Sequence, residues 1–98
     1  MEISFTAIFS RHSLDVLWWH EYAAIHFPEY VDYVRTKFQN TGKLTVDFTE
    51  SADKLTLLRL ATFSSPEEES SWNADEYVQT MSEVREMYYL ENNISRIS

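Results

Sequence analysis

The side chains best suited to chemistry in this sequence lie in two places. Trp18, Trp19, His20 and His26 fall within Ser13 to Asn40, and Arg59 stands alone in an apolar run from Lys54 to Ser64. His20-Glu21 is the first half of a zinc-protease pattern, in which a second His one helical turn later completes the metal site and the Glu acts as base. That position is Ala24, so the pattern is not completed. His20 and His26 are six residues apart, roughly 240° around a helix, and could chelate together only if the helix breaks between them. His12 belongs to a preceding turn, so no metal is expected. Trp18 and Trp19 point about 100° apart on a helix. Trp18 fits an apolar stripe, whereas Trp19 falls off it and reads either as a ring at the core edge or as a contact surface, where Trp is enriched. Arg59 points inward in a strand pattern. A buried charge needs a partner, and Asp47 on the neighbouring strand is the expected one. The alternative is that Arg59 lines a cleft and grips an anion bidentately.

Other chemistries are excluded by composition. The chain has no Cys, which removes disulfide scaffolds, thiolate metal sites and Cys nucleophiles. Gly42 is the sole Gly, so no Gly-rich phosphate loop or nucleotide fingerprint can be built. Ser-nucleophile motifs are absent as well. No cofactor is expected. The net charge is −8, with eight acids and two bases in residues 65–98 and eight acids and six bases before them. Bases scattered singly in so acidic a chain give no footprint for a phosphate backbone, and direct nucleic-acid binding is not expected. Glu67, Glu68, Asp75 and Glu76 instead form a candidate acidic surface for a basic protein partner, or simply a solvated face that keeps the chain in solution. No run approaches the ~20 apolar residues that span a bilayer. The first residues lack a basic region ahead of their apolar stretch, so no secretory signal is read and a cytoplasmic location is expected.

The elements that must position these groups follow from periodicity. Glu2 to Ser10 alternates, with Ile3, Phe5, Ala7 and Phe9 on one face, as in a strand covered on one side. Ser13 reads as a helix N-cap. A stripe of Leu14, Trp18, Tyr22 and Ile25 follows, and then Phe27, Val31, Val34 and Phe38. The stripe slips by two residues at Pro28, which predicts a kink or a split there, and Gly42 ends the region. Lys43 to Thr49 and Lys54 to Ser64 read as a hairpin. The second of these is apolar on both faces, with Leu58 and Leu60 opposite Leu55, Leu57, Ala61 and Phe63. Ser65-Pro66-Glu67-Glu68 is a helix start, repeated at Asn73 to Glu76. Together these predict a short acidic turn and then a main helix with a Tyr77, Met81, Val84 and Tyr88 stripe. Ile94 to Ile97 reads as a short last strand.

The result is one α+β domain over residues 1–98, in the ferredoxin-like order β-α-β-β-α(-β), with an antiparallel sheet and helices on one face. The order, the length and the segment LTLLRLATFSSPEE running into an acidic helix resemble the small dimeric α/β-barrel domains. That resemblance implies a homodimer packed sheet against sheet. The leading expectation is a non-catalytic, self-associating interaction domain that binds a protein partner, with Trp19, His20, His26 and Arg59 as candidate cleft or interface residues. The alternatives are a small dimeric α/β-barrel enzyme with a cleft between helix and sheet, and an acidic mimic of nucleic acid that inhibits a basic protein.

Overall fold

A computed structural model describes residues 1–98. Strand β1 (Ile3–Ser10) is followed by helices α1 (Trp19–His26) and α2 (Pro28–Val34), a π-helical turn (Arg35–Gln39), and strands β2 (Leu44–Glu50) and β3 (Thr56–Phe63). Helices α3 (Pro66–Ala74) and α4 (Glu76–Asn92) and the two-residue strand β4 (Ser95–Arg96) complete the chain. The four strands form one antiparallel sheet in the order β2-β3-β1-β4. β3 sits between two partners, in keeping with its apolar residues on both faces.

Register fixes which side chains share a face. Ala7 is opposite Arg59, Phe9 opposite Leu57, and Leu44 opposite Phe63. The buried strand residues Ala7, Phe9, Leu44, Leu57 and Phe63 therefore all lie on one face, under the helices. They divide into two clusters. Ala7, Phe9 and Leu57 pack with Trp18, Tyr88 and Ile94. Leu44 and Phe63 pack with Phe38 and Val78.

The helical region starts five residues later than the Ser13 cap predicts. Ser13 Oγ accepts from the Asp15 N–H at 3.1 Å, a local turn that competes with helix, and Leu14 is 58 % exposed rather than part of a stripe. The cause lies in Arg11, whose residue is only 8 % exposed. Its Nε donates to the Lys54 carbonyl at 3.0 Å, Nη1 to the Val16 carbonyl at 2.6 Å and Nη2 to Glu50 Oε2 at 3.3 Å. Its guanidinium lies 4.3 Å from the centre of the Trp18 ring, and Trp18 Nε1 donates to the same Glu50 oxygen at 2.9 Å. The chain from Arg11 to Trp18 is thus wrapped around a buried cation, and Val16 must stay non-helical to offer its carbonyl. The helix then begins where Glu21 Oε1 accepts the Trp18 N–H at 3.0 Å, filling one of the open donors of a helix start.

At Pro28 the structure has two helices rather than one kinked one. Phe27 takes φ −133° and ψ 56°, and Pro28 opens α2, where its missing N–H leaves no bond unmade. The stripe of α2 ends in a π-helical turn, with Asn40 N–H on the Arg35 carbonyl at 2.7 Å, which seats Phe38 in the core. Gly42, at φ +75°, makes the left-handed step out of it.

β3 begins at Thr56 rather than Lys54. Asp53 Oδ1 accepts from the Leu55 N–H and the Ser51 hydroxyl, and Lys54 has φ 62°, so both residues belong to the hairpin turn. Later in the chain, α3 is a nine-residue helix and not a short turn. Its Ser65 cap accepts the Glu68 N–H at 3.3 Å. Asp75 separates α3 from α4 and accepts the Val78 N–H at 3.0 Å. The inward stripe of α4 is Val78, Met81, Arg85 and Tyr88, at steps of three, four and three. Val78, Met81 and Tyr88 are buried, whereas Tyr77 is 39 % exposed, beside the Tyr30 and Tyr33 rings. Asn93 ends α4 in the left-handed conformation at φ 55°.

Candidate helix–sheet cleft and open sheet face

Two inward stripes, one from each layer, carry an arginine. Arg59 is on the helix-facing side of β3, between Ala7 of β1 and Phe48 of β2. Arg85 is on the inward stripe of α4. A cleft of about 420 Å³, lined by both arginines, opens beside the Leu44–Phe63 cluster. Its floor and walls include Leu44, Val46, Ala61 and Phe63 from the sheet and Trp72 from α3. Its polar groups are Arg59, Arg85, Glu69, Asn73, Gln79 and Ser82.

The expected Arg59–Asp47 pair does not form. Asp47 is opposite Leu60 in the register, on the other face of the sheet, so its carboxylate cannot reach an inward Arg59. The ion pairs of the chain use Arg11, Arg35, Lys37, Lys43 and Arg85, and none uses Arg59. The Arg59 guanidinium lies 5.2 Å from the centre of the Phe9 ring. Burial pushes its pKa down, and the nearby positive charge of Arg85 pushes it the same way. Arg85 Nη2 is 3.5 Å from Glu86 Oε1, with the Arg85 side chain 27 % exposed. Its Nε is buried and has no hydrogen-bond partner. Burial also raises the phenol pKa of Tyr89, against the opposing pull of Arg85 and Arg59, and raises that of Tyr30 to about 12, against Arg85.

The other candidates gather only in part. Trp19, His20 and Arg59 border a second, much smaller hollow of about 40 Å³, together with Phe9, Phe48 and Tyr89. That is space for a water or two, far below the several hundred Å³ of ligand pockets. Trp19 is half-buried at the core edge, with its ring 6.0 Å from Tyr22 and 5.8 Å from Tyr88. The His20 ring stacks on Phe48 at 3.9 Å. Burial lowers its pKa, opposed by Glu21 and Glu50. His26 is exposed beside Tyr22, with the ring centres 4.2 Å apart, and stays outside both hollows. No three His, Asp or Glu side chains are grouped so as to hold a metal ion.

The acidic set also divides. Glu67 and Glu76 are exposed. Glu68 is half-buried with its carboxylate 3.8 Å from Lys43 Nζ. Asp75 is withdrawn from the surface, with its side chain 3 % exposed. It accepts from Lys37 Nζ at 2.7 Å and from the Tyr33 hydroxyl, besides capping α4. Burial alone would raise its pKa, but these hydrogen bonds outweigh it and bring the pKa down to about 2. Asp75 is a structural joint, not a surface for a partner.

The sheet face away from the helices has a different character. Ile8 is opposite Leu58, Thr6 opposite Leu60 and Ser4 opposite Thr62, with Asp47 and Thr49 beside the two leucines on β2. Leu58 is 39 % exposed. Asp47 is the one ionisable side chain among the strand residues of this face.

A cleft lined by Arg59 was among the sequence expectations, but Arg85 was not, for a definable reason. The steps from Val78 to Met81, Arg85 and Tyr88 were legible in the sequence, but the neighbouring Tyr77 and Val84 offered a stripe without a charge. No helix is long and apolar enough to cross a membrane. Set against protein-family models, curated proteins and solved structures, the chain matches none of them.

Proposed function

We propose that this chain is a small self-associating interaction domain of ferredoxin-like topology, in which the open sheet face of one copy packs on that of a second. The observation that carries this reading is the outward surface of β3, where Leu58 and Leu60 sit beside Ile8 with Asp47 as the sole ionisable neighbour. Two copies carrying −8 each repel one another, so a contact between them must avoid like charge. This face keeps like charge to a single acid, Asp47 on the edge strand β2, and a two-fold axis through it would bring each leucine pair onto its twin. The topology part rests on the element order and on the strand order β2-β3-β1-β4, all antiparallel. A second support is the small core, with only 14 of 98 residues buried, so that covering the open face would add apolar burial that the single chain lacks. The exposed Glu67 and Glu76, on α3 and α4, are left free to meet a basic protein partner.

Sedimentation of the chain from about 1 to 100 µM, a span set by the affinities of ordinary transient interfaces, tests this. A dimer that Leu58→Glu converts to a folded monomer is the expected result. A strict monomer across that range overturns it.

A further inference from the structure

We propose that the cleft between β3 and α4 is a binding site for a small organic carboxylate with an apolar body, gripped by Arg59 and Arg85. The inference is independent of self-association, because the cleft is on the opposite side of the sheet from the open face.

Three observations converge on it. Arg59 faces inward and takes part in no ion pair, while its guanidinium rests near the Phe9 ring. Arg85 approaches the same cleft from the other layer, with a buried Nε that has no partner and only a 3.5 Å contact from Nη2 to the largely exposed Glu86. A buried donor left without an acceptor is destabilising, and so is a pair of like charges in a half-buried cleft. The like-charge condition is relieved by an anion between the two guanidinium groups, which offer it their outer nitrogens. The cleft volume of about 420 Å³ falls in the range of small-molecule sites.

The lining selects the chemistry. Guanidinium groups present planar forks that match a carboxylate bidentately. Val46, Ala61, Phe63 and Trp72 offer an apolar wall that rewards a hydrocarbon or aryl body and gives a bare inorganic anion nothing to bury. Glu69, at the margin of the cleft, and the −8 charge of the chain disfavour polyanions such as nucleoside triphosphates.

The test is titration of the intact chain with sodium octanoate, followed by amide chemical shifts. Octanol serves as the uncharged control and inorganic phosphate as the anion without a body. Octanoate is expected to shift residues of β3, α3 and α4 around Arg59 and Arg85 and to bind at least about tenfold more tightly than either control, a factor typical of one charge-assisted contact. Arg59→Gln and Arg85→Gln are each expected to weaken octanoate by about tenfold or more. Glu29→Gln, which changes charge on the exposed start of α2, is expected to leave affinity unchanged. The amide spectrum of each variant reports its fold, and if one arginine variant unfolds the other carries the test. Equal binding of octanoate by wild type and the folded arginine variants overturns the proposal. So do shifts centred on Ile8 and Leu58, binding of octanol or phosphate as tight as that of octanoate, or no octanoate binding up to about 5 mM, beyond which affinity is weaker than a single good contact gives.

Discussion

Arg11 and Arg59 both point to the helix side of one sheet, and the chain treats them in opposite ways. Arg11 is fully committed. Its three donating nitrogens meet the Lys54 carbonyl, the Val16 carbonyl and Glu50, and its flat face covers Trp18. Arg59 has the Phe9 ring and no carboxylate. A charge whose partners are all supplied from within the chain is an organiser of the fold, and here it decides where the first helix can begin. A charge left without partners in a half-buried position is a standing disadvantage unless something outside the chain completes it. The same contrast divides the carboxylates, since Asp75 is saturated with donors while Glu67 and Glu76 are free in solvent.

The comparison is sharpest where each group is removed. Arg11→Ala removes the donor from two carbonyls and from Glu50, and a loss of about 2–4 kcal/mol is expected in urea unfolding, because the carbonyls lose a charged donor while Glu50, its side chain 38 % exposed, regains water. Asp75→Ala removes a helix cap and the acceptor for Lys37 and Tyr33, and about 2–3 kcal/mol is expected in the same measurement. Arg59→Met should be neutral or stabilising by up to about 1 kcal/mol, because no partner is orphaned and a half-buried charge is replaced by an apolar chain. A loss as large as that of Arg11→Ala would erase the distinction between the two arginines.

Two pH effects should follow, the acid one larger. The Asp75 pKa lies near 2 in the folded chain, below the ordinary carboxylate value of about 3.9. The unfolded chain therefore binds the proton first, and the stabilisation is complete above about pH 4 and lost as pH falls toward 2. Acid unfolding curves of wild type and Asp75→Asn should converge over that window. His20 is also depressed, by burial first, with Glu21 and Glu50 opposing. Protonation again favours the unfolded chain, so stability should fall as pH drops below about 6.5, the ordinary His value. His20→Gln should flatten that slope, and proton NMR of the imidazole should show a midpoint below the ordinary His value.

Much of the fold was legible because it rests on short-range rules. The alternation of β1, β2 and β3, the proline at the α1–α2 boundary and the Ser65-Pro66 helix start each encode their element within a few residues. What was not legible came from contacts between distant segments. Ser13 is a sound N-cap by local chemistry, yet it lost to Arg11, whose partners lie as far away as Glu50 and Lys54. Trp19 could not be assigned to core edge or surface until Tyr22, Phe27 and Tyr88 were around it. The Asp47–Arg59 pairing failed on a single step of register, because one residue along a strand reverses the face.

By itself, the sequence determined the class of the domain, the strands and their inward faces, the break at Pro28 and the exclusion of thiol and Gly-loop chemistry, because composition and periodicity act locally. Only the tertiary structure decided which charges are satisfied. Whether an arginine is a fastener or an open hand depends on what the chain brings within about 3 Å of it, and the groups that answer for Arg11, Arg59 and Arg85 come from other strands, helices and turns.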